Sequence, residues 1–495
     1  MNSRREAQMA GWASSELLRN LETGIHVGSW RDPEGARTLA VTSPVTGEEI
    51  ATVADAGEAD ALAALDVATA AMADWSATSP IRRADILMTA HARILEIADE
   101  LAVIICAETG KVLAEAKGEV AYGAQYLRWY AEEAVRLGGR ITKAPDGNSD
   151  IIVESRPVGP CLLITPWNFP FAMVARKVAP ALAAGNTVII KPSELTPLAS
   201  YVLVQVLLEV GVPAGVVSLL TTTRPAEISG PLLSDARLRK VSFTGSTGVG
   251  RVLHELASAH FAKTSLELGG DAPFVVFADA DVDRAVEGIM LAKFRNSGQT
   301  CVAANRIYLQ RGIADAVLAQ LTEKVGALTV ADGFADGADV GAVIDSRAQA
   351  KCSEVVETAV AAGGTVLARS AVPDTGCFVP ATLVAGVPLE SPLRGQEIFG
   401  PVAIVSVFDD EKEAVAAAND TSYGLASYVF TADLDRANRV ARSIDAGMVG
   451  INTGLISNVA APFGGIKASG VGREGAAEGI EEYLILRYVN VVPGR

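Results

Sequence analysis

From residue 160 onward the chain alternates short apolar runs with helix-length stretches, and this alternation restricts the fold more than any other feature of the sequence. Residues 161–164, 187–190, 216–220 and 240–243 read as strands, and 172–184 and 195–210 between them read as helices. Strands joined by helices of this length imply βαβ units and a parallel sheet, whose ligands lie beyond the carboxyl ends of the strands. A second alternation runs from about 273 to 452, with strands at 274–277, 402–408 and 448–451 and helices near 314–328 and 346–362. A length of 495 residues fits two or three domains, so two α/β units are the natural reading. Upstream, residues 55–135 are rich in Ala, Leu and Glu and read as helices; 140–143 and 151–154 flank Asp146-Gly147 as a hairpin. The tail at 483–492 is β-prone and apolar. It pairs either with another subunit, against the 140–155 hairpin, or as an internal edge strand.

Charge narrows the partners. The formal net charge of −16 repels phosphate backbones and anionic lipid, so neither nucleic acid nor a membrane surface is an expected partner. An anionic substrate must then be held by a local cluster of arginine or lysine. Residues 1–20 lack the apolar core of a signal peptide, and the most apolar window, 199–220, is broken by Glu209, Gly211, Pro213 and Gly215. The five cysteines show no C-x-x-C, which fits a reducing, cytoplasmic compartment. No metal site is expected, because His254 and His260 do not have the i, i+4 spacing of a zinc-binding helix.

Several segments carry chemistry, each with two readings. Gly245-Ser246-Thr247-Gly248-Val249-Gly250 follows a strand and opens a helix; it either presents N–H groups to a pyrophosphate or is a plain turn capped by Ser246. Lys191-Pro192-Ser193-Glu194 follows another strand, where Glu194 either accepts ribose hydroxyls or is solvated. In Thr165-Pro166-Trp167-Asn168-Phe169-Pro170 two prolines fix the loop, so Asn168 either binds an oxyanion or caps its own loop. Cys301 ends a small polar run, unlike Cys106, which follows the apolar Val103–Ile105, and is either an accessible, reactive thiol or an ordinary structural cysteine. Glu267 sits between leucines, as a general base with a raised pKa or as a surface residue of an edge strand; Glu397 is equally ambiguous.

Taken together, P-W-N-F-P, K-P-S-E, F-T-G-S, E-L-G-G, G-Q-T-C, E-I-F-G-P and Pro462-Phe463-Gly464-Gly465 resemble the aldehyde dehydrogenase superfamily, in order and spacing, over residues 25 to 492. The resemblance implies a Rossmann-type NAD(P)-binding domain (1–137 and 157–266), an α/β catalytic domain (267–470) and a small β oligomerisation arm (138–156 and 471–495). It implies that Cys301 is the nucleophile, that Asn168 and the Cys301 N–H hold the oxyanion, and that Glu267 activates the hydrolytic water. Lys177 and Glu474 resemble a proton-relaying pair. Ile164, Thr165, Pro166, Trp167, Lys191, Ser193, Glu194, Gly245, Ser246, Gly250, Leu268, Glu397 and Phe399 would contact the cofactor, NAD in preference to NADP because Glu194 would face a 2′-phosphate. A homodimer or homotetramer is implied.

Within the superfamily the sequence is most similar to succinate-semialdehyde dehydrogenases, through F-R-N-S-G-Q-T-C-V-A-A-N-R, G-I-N-T-G-L-I-S-N and P-F-G-G-I-K-A-S-G-V-G-R-E-G. By that resemblance Arg176, Arg295 and Ser457 grip the substrate's distal carboxylate. Glutarate semialdehyde or a neutral aldehyde are the alternative substrates. Many members carry a second cysteine two residues after the nucleophile; Ala303 stands there, which argues against a redox switch of that type. A cysteine esterase would use the same Cys301 but has no histidine near it in sequence. A non-catalytic descendant would have lost Cys301, Glu267 or Asn168, and all three are present.

Overall fold

A computed structural model describes residues 12–13 and 15–493; most of the 1–20 segment read for a leader therefore lies outside the described residues. Its largest sheet has eight strands with a parallel centre. Across that centre the order is Lys263–Glu267, Lys240–Thr244, Cys161–Ile164, Val188–Lys191 and Val217–Leu219. The chain moves outward from Cys161–Ile164 to Val217–Leu219, then returns to place Lys240–Thr244 on the other side of the first strand. That reversal creates the crevice where doubly wound sheets bind ligands, just beyond Ile164 and Thr244. Helices cover both faces, which is why the central strands are buried throughout and read as unbroken apolar runs.

The second sheet has seven strands in the order Thr365–Arg369, Thr382–Ala385, Val402–Phe408, Arg306–Gln310, Pro273–Val276, Ala426–Phe430 and Met448–Ile451, all parallel except the first pair. A third sheet pairs the C-terminal strand Leu484–Val491 with Asp150–Pro157, which in turn pairs with Arg140–Lys143. The tail thus docks on the hairpin of its own chain, through eight residue pairs from Leu484↔Pro157 to Val491↔Asp150. It leaves Ile485, Leu486 and Tyr488 exposed. One further crossing ties the units together. Gly470–Val471, downstream of the second sheet, returns to the edge of the first and pairs with Leu266 and Glu267.

Element ends differ from the sequence reading by a few residues, for identifiable reasons. Lys191 is the last residue of its strand, opposite Ile164, instead of the first residue after it; the ladder stops at Pro192, which has no N–H to donate. The following helix begins at Leu198, because Ser193 to Pro197 first make a turn closed by Thr196 N–H to the Ser193 carbonyl. The helix Pro170–Ala183 starts two residues early because proline suits the first helical position. His260 lies beyond the end of the helix Thr247–Ser258.

Candidate active site

Between the crevice of the first sheet and the second α/β unit lies a cavity of about 440 Å³. Asn168, Glu267 and Cys301 all line it, although 133 positions separate the first from the last. So do Arg176, Arg295 and Ser457, and on the cofactor side Pro166, Trp167, Gly245, Ser246, Leu268, Glu397 and Phe399. The sequence reading missed the rest of the wall: Tyr122, Phe169, Met173, Leu291, Leu455 and Phe463 make it mainly apolar. Phe169, Leu455 and Phe463 fall within the quoted motifs, which gave them no role of their own, and nothing in the local pattern of Tyr122, Met173 and Leu291 distinguishes them from ordinary core residues.

Cys301 is half-buried, whereas Cys106, Cys161 and Cys352 are buried. Burial pushes its thiol up to about 12; Arg176 pulls the other way, and Glu397 and Glu267 add to the rise. The loop before it is strained. Asn296, Ser297 and Gly298 are consecutive left-handed residues with φ of 54°, 55° and 70°. Two of them carry side chains, a conformation that costs of order 1–3 kcal/mol each unless the surroundings hold it. The restraints are visible. Asn296 N–H donates to Glu115 Oε1 (2.7 Å), Ser297 Oγ to the Gly341 carbonyl (3.0 Å), and Ile344 N–H to Gln299 Oε1 (2.9 Å). At position 298 a Cβ would stand 2.1 Å from the Gly400 carbonyl oxygen, so glycine is required there.

Asn168 does not cap its own loop. Its side-chain Nδ2 donates to the Gln299 carbonyl (2.9 Å), which ties it to the cysteine loop and leaves its second N–H available. The helix that follows, Pro170–Ala183, carries Arg176 and Lys177 into a buried charge cluster. Glu474 pairs with both: Oε2 with Arg176 Nε and Oε1 with Lys177 Nζ, each at 2.5 Å. Lys177 also donates to Ser242 Oγ (2.9 Å), and Arg176 lies over the Phe463 ring.

Glu267 is not on an edge. It ends a strand flanked on both sides, is 2% exposed, and neither carboxylate oxygen has a hydrogen-bond partner. Burial raises its pKa well above the ordinary carboxylate range, and the nearby Glu474 charge raises it further against Arg176, Lys177 and Arg473. Burial would raise Glu474 too, but Lys177 and Arg176 outweigh it and hold that pKa down. The pKa values of two carboxylates in one cluster are thereby pushed in opposite directions.

The cofactor candidates divide into those in the cavity and those in the crevice. Phe399 stands edge-on to Trp167, with ring centroids 5.4 Å apart. Glu397 Oε1 accepts the Gly270 N–H (3.1 Å), and burial raises its carboxyl to about 7. Ser246 does cap the helix Thr247–Ser258, accepting from Val249 N–H. Ile164, Thr165, Lys191, Ser193, Glu194 and Gly250 lie outside the cavity lining, as do Lys177 and Glu474. Lys191 Nζ and Glu194 Oε2 are 3.6 Å apart at the crevice. Gly250 packs against Leu268, whose Cδ2 would stand 2.3 Å from a Cβ at that position.

A doubly wound crevice opening onto a cavity that holds a cysteine, an amide donor and a buried glutamate suits a dinucleotide-dependent α/β oxidoreductase. The chain belongs to the aldehyde dehydrogenase family, whose profile matches residues 30–489; the family oxidises aldehydes with NAD(P). It is 50% identical to a succinate-semialdehyde dehydrogenase of Paenarthrobacter nicotinovorans, over 89% of this chain and 98% of the relative. It is 46% identical to a glutarate-semialdehyde dehydrogenase of Pseudomonas putida, over 93% and 96%. It is 43% identical to the NADP(+)-named succinate-semialdehyde dehydrogenase of Escherichia coli, over 93% and 96%. Among solved structures, the succinate-semialdehyde dehydrogenase of Burkholderia pseudomallei superposes with a TM-score of 0.94 at 42% identity, covering 96% of this chain and 98% of the other.

Proposed function

We propose that the chain oxidises succinate semialdehyde to succinate through a thioester on Cys301. The observation that carries this reading is that Arg176, Arg295 and Ser457 line the same cavity as Cys301, so an anionic tail and a reacting carbonyl fit one ligand. Arginine is suited to this because its planar fork matches a carboxylate. It also answers the adverse field of a chain with a net charge of −16.

The residues divide the chemistry. With its proton released to solvent, the Cys301 sulfur adds to the aldehyde carbon, and the free N–H of Asn168 with the Cys301 backbone N–H receives the oxyanion. The crevice residues suit a dinucleotide: Thr165 Oγ1 and Thr244 Oγ1 are buried and unpartnered at the strand ends, and Gly245 and Ser246 open a helix N-terminus for phosphate. Lys191, Ser193 and Glu194 would hold the adenosine ribose, and Glu397 and Phe399 the nicotinamide end. Bound NAD(P) supplies the acceptor for the hydride. Glu267, whose pKa burial raises, takes a proton in its ionised form from the water that hydrolyses the thioester, and the Lys177–Glu474 pair relays that proton. Glu194 supports a preference for NAD, because its charge opposes a 2′-phosphate.

The five-carbon semialdehyde is the second reading, supported by the 46% identity to a glutarate-semialdehyde enzyme; one methylene is worth only about 1–3 kcal/mol in a pocket. The test is kcat/KM for four- and five-carbon semialdehydes against butanal, with the native chain and with Arg295→Ala. The clamp predicts a KM rise for the semialdehydes and little change for butanal; equal effects on both would remove Arg295 from the substrate site. The domain limits given above, with 1–137 and 157–266 holding the cofactor and 267–470 the nucleophile, are part of this reading. So is assembly as a dimer or tetramer through the third sheet, whose outer residues Ile141, Leu486 and Tyr488 are exposed apolar side chains. Cytoplasmic residence rests on the cysteine pattern; among the described residues no helix is long and apolar enough to cross a membrane.

A further inference from the structure

Lys111 and Glu119 form an ion pair sealed from solvent, with side chains 1% and 0% exposed and Nζ 2.5 Å from Oε2. Neither belongs to any motif that pointed to the chemistry. A pair buried this deeply is weak evidence for stability, because desolvation offsets most of the attraction and well-packed apolar residues often serve as well. Its partners show what else it does. Lys111 Nζ donates to the Asn168 carbonyl (2.8 Å) and lies 4.3 Å from the centre of the Phe169 ring. Glu119 Oε1 accepts the N–H groups of Phe171 (2.9 Å) and Ala172 (3.2 Å), at the start of the helix that carries Arg176. Two side chains therefore hold four of the five residues from 168 to 172.

The pair is itself anchored. Lys111 follows Gly110, a left-handed residue (φ 77°) where a Cβ would meet Pro44 at 2.8 Å and Ala342 at 2.9 Å. On its other side, the Lys111 carbonyl would stand 2.1 Å from any Cβ at Gly333 and accepts from Cys106 Sγ. The Asn168 carbonyl accepts a second bond from Asn296 Nδ2 (3.2 Å), and Asn296 and Asn168 both donate to the Gln299 carbonyl. A continuous hydrogen-bonded path thus runs from Glu119 through Lys111, Asn168 and Asn296 to the residues before Cys301.

We propose that Lys111 and Glu119 are positioning residues, whose ion pair sets the Asn168 loop against the Cys301 loop and so fixes the oxyanion donor relative to the nucleophile. This rests on the oxyanion role given to Asn168 above. The reasoning is geometric: a donor displaced by about 1 Å can cost on the order of 100-fold in rate. Arg295 and Ser457 make no direct contact with the pair, and the Glu119 bonds to the helix of Arg176 survive in Lys111→Met, so the loss in that variant falls on kcat more than on KM.

The test is a double-mutant cycle of Lys111→Met with Asn168→Ala, measured as kcat and KM for succinate semialdehyde per titrated Cys301 thiol, with melting curves alongside. The expected result is a kcat for Lys111→Met reduced on the order of 10-fold or more, with KM within about twofold. Placed on Asn168→Ala, Lys111→Met then lowers kcat little further, and Lys111→Arg restores part of the rate in the Asn168 background only. Glu119→Gln, which keeps an acceptor for the helix N–H groups, takes the place of Lys111→Met should that variant not fold. Additive losses, or an unchanged kcat, overturn the positioning role. An unchanged kcat in Asn168→Ala would instead sink the oxyanion reading, and a loss in Lys111→Met on that background would assign the pair to packing alone.

Discussion

The state of the Cys301 sulfur before substrate arrives is open to direct measurement by varying pH. Burial pushes the thiol up to about 12, against roughly 8.5 for a free cysteine. Each pKa unit is tenfold in thiolate, so at pH 8 Cys301 holds on the order of 1000-fold less thiolate than a free cysteine. The assay is inactivation by iodoacetamide, scored as loss of dehydrogenase activity between pH 6.5 and 10 and referenced to a cysteine peptide. Scoring activity keeps the half-buried Cys377 from contributing. The logarithm of the rate should rise with a slope near one across the whole range, remaining far below the peptide at pH 8. A plateau below about pH 9 would show a preformed thiolate, and the argument that burial outweighs Arg176 at this sulfur would fail.

Four further outcomes follow from the site. Glu267→Gln should release one equivalent of NADH per subunit and then turn over on the order of 100-fold or more slowly, as the thioester waits for its base; rapid mixing with absorbance at the NADH band checks this, and an undiminished steady state counts against the assignment. In the native chain the same carboxyl must be ionised to act. Its pKa is raised, so kcat should fall as pH drops through a range above the ordinary carboxylate value. Glu194→Ser should shift the NAD/NADP ratio of kcat/KM toward NADP, with an unchanged ratio removing Glu194 from the ribose site. Gly298→Ala must place a Cβ against the Gly400 carbonyl at φ +70°, so thermal unfolding should show a loss of at least about 1–3 kcal/mol; a native melting point would mean the turn relaxes freely.

The sheets were legible in the sequence because their strands are short apolar runs separated by helices, a pattern set by burial on both faces. Cys301, Asn168 and Glu267 were legible through motif resemblance, and the structure brings them to one cavity. Local sequence reads Glu267 less well: its solitary look between leucines cannot reveal that Gly470–Val471 returns from far downstream to cover it. Glu115 and Glu119 were not legible at all. Four residues apart on one helix, they look like a solvated charged stripe, and only the docking of two loops against that face turns them inward. Element ends shifted wherever proline or a turn decided the last hydrogen bond.

The return of Gly470–Val471 to the first sheet has a kinetic corollary. Ser457, Phe463 and Glu474 ride on the segment that this crossing fixes, so the parallel strands of both sheets can be in place while the cavity still lacks a wall. During refolding, circular dichroism should therefore recover before turnover does. A chain ending near residue 455 would keep the parallel strands of both sheets yet catalyse nothing.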